Sequence, residues 1–248
     1  MSPVLAAFIV FACAFGSSLL GMYLSSILPE HHLSADSRKL VKTGTALVST
    51  MTGLLISLQL SAARTTFDTE ETQLKQLCAE SVLLDRVLAH YGPETKDIRE
   101  LVRSALVGYL KRVWPQDGEK FTAPAVRADA LYDKIQELSP ENDDQSTDKH
   151  EALRMVIELG RTRWLTLEAS KSSTALPTQL VELSWIVAVF IGFGLFAPRN
   201  ATVVLTLLVA ALTVSAAIFL ILEMNAPFEG IIRVPDDPLR QAISSLGR

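Results

Sequence analysis

Four long apolar blocks, Pro3 to Leu28, Leu40 to Ala63, Leu180 to Phe196 and Ala201 to Leu222, constrain this chain more than any other feature. A hydrocarbon core about 30 Å thick needs roughly 20 residues of helix at about 1.5 Å rise per residue, and each block approaches or exceeds that length. Lipid offers no partner to a backbone N–H or C=O, so segments of this kind cross as helices. The pattern predicts an all-α protein with four transmembrane helices and a helical-bundle domain inserted between the second and third. The boundaries that follow are a first transmembrane hairpin at 1–63, a cytoplasmic helical domain at 64–178, a second transmembrane hairpin at 179–224 and a C-terminal tail at 225–248.

The first block lacks a Lys/Arg start and is too long for the apolar region of a signal peptide, so it reads as a retained span. LPEHHLSADSRK joins the first two blocks and APRNAT the last two, both short enough to force antiparallel hairpins. His31 and His32 beside Glu30 and Asp36 admit a metal site. However, adjacent residues on a helix point about 100° apart and no third ligand has a suitable spacing, so solvated interfacial histidines are the expectation. Arg64, Lys75, Arg163, Lys171, Arg233 and Arg240 lie near the membrane on the domain side, against Arg38, Lys39, Lys42 and Arg199 opposite. This bias leans toward a cytoplasmic domain.

The polar region reads as amphipathic helices. Leu74, Leu77, Leu84, Leu88 and Tyr91 continue the second span as one helix, ended by Gly92 and Pro93. A second helix carries Ile98, Leu101, Val102, Ala105, Leu106, Tyr109 and Val113 and stops before Pro115. A loop at 116–124 and a short helix with Leu131, Ile135 and Leu138 follow. The acidic ENDDQSTDK is then expected as a solvated connection to a helix over His150 to Ser170, with Leu153, Val156, Ile157, Gly160, Trp164 and Leu167 inward.

Within the second span Thr45, Ser49, Gly53, Ser57 and Ser61 recur every fourth position, and Lys42 and Arg64 share their side of the helix, roughly 33 Å apart. Such a face meets either another helix, approached closely through small residues, or water. Several copies around an axis would then make a polar pore with a basic ring at each mouth, a pattern favouring anions. Gln59, Arg64, Glu182, Glu223 and Asn225 all fall at the domain end of their spans. They form either a structural cluster between helix ends or a group acting in ion passage.

A net charge of −4, mixed in sign, excludes a strong pull on nucleic acid. Cys13 and Cys78 are separated by membrane depth and are not expected to pair. GFG at Gly192 to Gly194 lies inside a span and reads as close helix packing rather than a phosphate loop. No nucleophile motif, zinc spacing or cofactor signature is present, so an enzyme is not expected.

LPEHHLSADSRKLVKTGTALVSTMTGLLISLQLSAARTTFD, SWIVAVFIGFGLFAPRNATVV and IFLILEMNAPFEGIIRV, with LLDRVLAHYGPE and RTRWL, resemble the bacterial bestrophin-like family. The resemblance implies a multi-pass protein of the bacterial inner membrane with a cytoplasmic helical domain. Through the relation to true bestrophins it also implies a pentameric anion channel built around the second membrane helix. A non-conducting membrane scaffold or sensor, whose helical domain binds a partner or relays a signal, is the alternative.

Overall fold

The computed structural model describes residues 2–27, 35–115, 128–169 and 175–247, with all of their side chains except those of 35–38, 128, 162–169 and 175–178. His31, His32, the loop at 116–124, and the side chains of Asp36, Trp164 and Leu167 lie outside the described set. Among the described residues eight α-helices follow in order: α1 (Pro3–Ile27), α2 (Ala35–Tyr91), α3 (Lys96–Val113), α4 (Ala128–Gln136), α5 (Asp143–Ala169), α6 (Ala175–Leu195), α7 (Ala201–Met224) and α8 (Asp237–Ser245). No strand occurs among the described residues, as the all-α expectation requires. Helices α1, α2 and α7 are long and apolar enough to cross a membrane, while the apolar part of α6, Gln179–Leu195, is shorter.

The chain forms two compact units, residues 1–67 with 173–233 and residues 68–172 with 234–248. In the first, α1 packs on both α6 and α7 around Ala14, Ile186, Phe190 and Ala211. The backbones of α1 and α6 come so close that a Cβ on Gly194 would overlap the Ser18 carbonyl oxygen, and one on Gly21 the Ile191 carbonyl oxygen. Gly192 packs instead against the side chain of Thr45 on α2. The GFG segment is therefore a packing device, because only glycine at 194 lets α1 and α6 touch backbone to backbone. Ala14 at Ile186 and Ser18 at Gly194 make α1 and α6 parallel. Ser215 Oγ donating to Ala7 O at 2.6 Å and Arg199 Nη2 to Met22 O at 2.7 Å make α1 and α7 antiparallel.

The second unit is built on Leu84 and Leu88 of α2, Ile98 and Val102 of α3, Leu131 and Ile135 of α4, and Ala152 and Val156 of α5. Within each helix the two residues stand four apart, so each helix turns one apolar side inward. Helix α2 does continue unbroken from the apolar segment to Tyr91, 57 residues in all, and Gly92 with φ 145° lets the chain leave it. The acidic stretch departs from expectation, since α5 begins at Asp143 rather than His150. Asn142 Oδ1 accepts from Gln145 N at 2.8 Å and Gln145 Oε1 accepts from Glu141 N at 2.7 Å, a reciprocal cap. Asp143 and Asp144 in the first turn favour the positive end of the helix dipole. Lys149 then donates to the carbonyls of Gln136 and Leu138, both at 2.7 Å, satisfying the open end of α4.

The C-terminal segment is fastened into this unit. Val234 and Leu239 are fully buried, Trp114 Nε1 donates to Val234 O at 3.1 Å, and Gly247 N donates to Asp85 Oδ2 at 3.2 Å. Asp85 is 3% exposed and is gripped in two places by Arg99, Nε at 2.7 Å and Nη2 at 2.9 Å. Burial raises the Asp85 carboxyl, but the Arg99 hydrogen bonds, the Gly247 N–H and the Arg99 charge outweigh it and hold the group below the ordinary carboxylate range. A carboxyl lowered on folding contributes stability that is present above its unfolded value of about 3.9 and is lost as pH falls through the folded value. Asp85→Ala leaves the Arg99 guanidinium without its partner and is expected to cost about 3 kcal/mol. Thermal unfolding in mild detergent should therefore separate variant from wild type at pH 7, with the gap closing as the pH drops below about 4. An unchanged gap at acidic pH would show that packing, rather than the charge, was lost. In the same unit burial pushes the Cys78 thiol up to about 11, so it is an inert core thiol rather than a reactive one.

Candidate functional site

Three stripes run along α2 through the first unit. Thr52, Ala63 and Phe67 are buried, with Thr45, Val48, Ser49, Ile56 and Gln59 half-buried beside them, and this side packs inside the unit. A bulky apolar stripe of Leu47, Met51, Leu54 and Leu58 is exposed, Leu54 at 63% and Leu58 at 69%. Between them lies a third stripe, also exposed, of Ala46, Thr50, Gly53, Ser57 and Ser61, with Lys42 and Arg64 at its two ends. A Cβ added to Gly53 would meet nothing within 4 Å, unlike one on Gly192, Gly194 or Gly21. The small residues of this stripe do not serve contact with another described helix of the same chain.

The four-residue ladder read from the sequence divides between two stripes. A step of four advances about 40° around a helix, so from Thr45 to Ser61 the ladder turns by about 160°. Thr45 and Ser49 end on the packed side, and Gly53, Ser57 and Ser61 on the open side. Ala46 and Thr50 join the open stripe and were not singled out by spacing; reckoning at 100° per residue finds them. Thr50 Oγ1 donates to Ala46 O at 2.9 Å and Ser57 Oγ to Gly53 O at 2.8 Å. Hydroxyls bonded to their own helix sit at low cost beside water, lipid or another helix, so the two end charges discriminate among these surroundings better than the hydroxyls do.

Of the polar cluster, Gln59 and Glu182 meet. Glu182 on α6 is 3% exposed, and the Gln59 side chain interacts with its carboxyl from α2, although neither Gln59 Nε2 nor Glu182 Oε1 completes a hydrogen bond. This contact and that of Thr45 with Gly192 make α2 and α6 antiparallel. Glu223 is 1% exposed at the end of α7 and turns to its own chain. Its Oε2 accepts from Ile231 N at 2.6 Å and Ile232 N at 2.9 Å, and Gly230, at φ 83°, lets the backbone close over the carboxylate. Asn225 is the exposed C-cap of α7, its N–H bonded to Ile221 O. Glu223 is thus a fastener for the turn after α7.

An all-helical arrangement among the described residues, with three helices long and apolar enough to cross a membrane, is the pattern of a membrane protein. The sequence pattern of the Bestrophin-like domain matches residues 12–239, nearly the whole chain, and the chain belongs to that family. No curated protein and no solved structure gives a match.

Proposed function

We propose that the chain is one subunit of a homo-oligomeric membrane channel for small anions, chloride-like in size, with the open stripe of α2 lining the path. All four apolar helices cross the bilayer of the bacterial inner membrane and contact its lipids. The second unit lies in the cytoplasm as a helical vestibule, and five copies surround the axis by analogy with bestrophins. Nucleic acid plays no part. The observation that carries the reading is the exposed stripe of Gly53, Ser57 and Ser61 on the apolar segment of α2, beside the exposed Leu47, Met51, Leu54 and Leu58 and bounded by Lys42 and Arg64. A hydroxyl-lined helix face with a cation at each end suits a water-filled path that concentrates anions.

Reconstituted into liposomes, the protein is expected to pass chloride. In a background where Cys13 and Cys78 are serine, Ser57→Cys should react with a charged, water-borne methanethiosulfonate and lose conductance, while Leu54→Cys, on the apolar stripe, should do neither. Equal reactivity of both would overturn the pore-face assignment. The second reading, a non-conducting scaffold or sensor, draws on the 57-residue helix α2, which supplies residues to both units. It predicts a monomer or dimer in detergent with no flux, and a lone image of the particle down its symmetry axis separates the two.

A further inference from the structure

At the end of the first unit where α1 finishes and α7 begins, a surface cavity of about 360 Å³ is lined by Leu19, Met22, Tyr23, Arg199, Asn200 and Val204, among others. Its two halves differ in chemistry. Leu19, Met22 and Val204 make an apolar wall on helices of membrane-spanning length, and Leu19 is 41% exposed. Arg199 stands at the rim just before the N-cap Asn200 of α7, its guanidinium aimed by one hydrogen bond to Met22 O at 2.7 Å. An arginine carries five N–H donors in a planar fork, so one bond to Met22 leaves the rest of the fork for a second acceptor. Tyr23, 63% exposed, stands beside it with a ring suited to the boundary between hydrocarbon and headgroups.

We infer that this cavity binds a phospholipid, the phosphate on Arg199 and the first part of an acyl chain along Leu19 and Val204. The volume falls in the range of small-ligand sites, about 300–1,000 Å³, enough for a headgroup and the start of a chain. A cation fixed at the edge of an apolar wall fits an amphiphile with an anionic head better than a free ion, which would leave the wall wet, or an apolar helix, which would bury the guanidinium without a counter-charge. The inference rests on α1 and α7 crossing the bilayer and does not depend on conduction.

The test is native mass spectrometry of the full chain released from nanodiscs holding equal phosphatidylglycerol and phosphatidylcholine. Wild type is expected to retain phosphatidylglycerol preferentially. Arg199→Gln should lose it several-fold, and Arg199→Lys should keep a part. Leu19→Trp, which fills the wall and leaves the Arg199–Met22 bond in place, should lose it as well, so the reading does not hang on one variant that fails to fold. Equal retention in all four proteins overturns it. Displacement of the lipid by millimolar inorganic phosphate overturns it too, since the site would then take the free anion. Resistance of the protein to alkaline extraction from membranes reports the crossing separately, so a failure of the spanning assignment is distinguished from a failure of the lipid site.

Discussion

Arg64→Glu and Lys42→Glu are each expected to move the reversal potential across a potassium chloride gradient away from chloride and toward potassium, with the double variant favouring cations. The magnitude follows from Coulomb's law. A unit charge about 6 Å from a permeating ion in water is worth about 0.7 kcal/mol, so reversing its sign changes the ion's energy by about 1.4 kcal/mol, or tenfold in relative occupancy, for each copy facing the axis. Mobile ions screen such mouths over a Debye length of about 8 Å at physiological salt, so the shift should shrink as bath salt is raised. Lys42 and Arg64 lie about 22 residues apart on α2, roughly 33 Å, so either mouth can be tested without disturbing the other. Conducting variants with unaltered selectivity would remove the open stripe from the pore. A shift in one variant alone would confine the selectivity to that mouth.

Local periodicity made most of the helices legible. The leucine steps from Leu74 to Leu88, ended by Gly92 and Pro93, announce the C-terminal part of α2 because apolar recurrence and a chain-breaking pair are short-range properties. The same logic misplaced the start of α5. Asp143 to Asp148 looks solvated by composition, yet the Asn142–Gln145 cap was there to be found, as a capping side chain with a glutamine three residues later. The fastening of the C-terminal segment was out of reach. Asp85 meets Gly247 across 162 residues and Trp114 meets Val234 across 120, and nothing in either partner's neighbourhood marks the other.

The polar cluster shows the same boundary. Gln59 and Glu182 could be placed at one level because both lie within about a turn of the domain-side ends of their apolar blocks, Leu40 to Ala63 and Leu180 to Phe196, which run antiparallel. Glu223 shared that level, but its fate was decided by Gly230, whose positive φ turns two N–H groups back onto the carboxylate. The orientation of α2 about its own axis was half-legible. Angular reckoning grouped Lys42, Gly53, Ser57, Ser61 and Arg64, but only packing revealed that Thr45 and Ser49 turn toward α6 and the core.

The second large effect is expected at Gly194. Any Cβ there overlaps the Ser18 carbonyl oxygen and comes within 3.0 Å of Met22 N, both backbone atoms of a helix that cannot rotate out of the way as a side chain would. Helix α1 has to shift bodily, and that shift breaks its contacts with Ile186 and Phe190, so Gly194→Val should cost at least about 3 kcal/mol, the upper end of overpacking. Against a total stability of about 5–15 kcal/mol this is enough to deplete the folded protein, read as loss of the monodisperse peak in gel filtration and a fall in thermal midpoint. Gly16, on the same helix α1, has nothing within 4 Å of an added Cβ, and Gly16→Ala should fold as wild type. Gly53→Ala also has open space, so it should leave the fold and thermal midpoint intact. Whether it alters conductance then depends on what lies outside the chain at the open stripe of α2. Gly194→Val folding as well as Gly16→Ala would show that α1 and α6 stand farther apart than their glycines imply. A loss of stability in Gly53→Ala but not in Gly16→Ala would place a second copy of the chain against the open stripe.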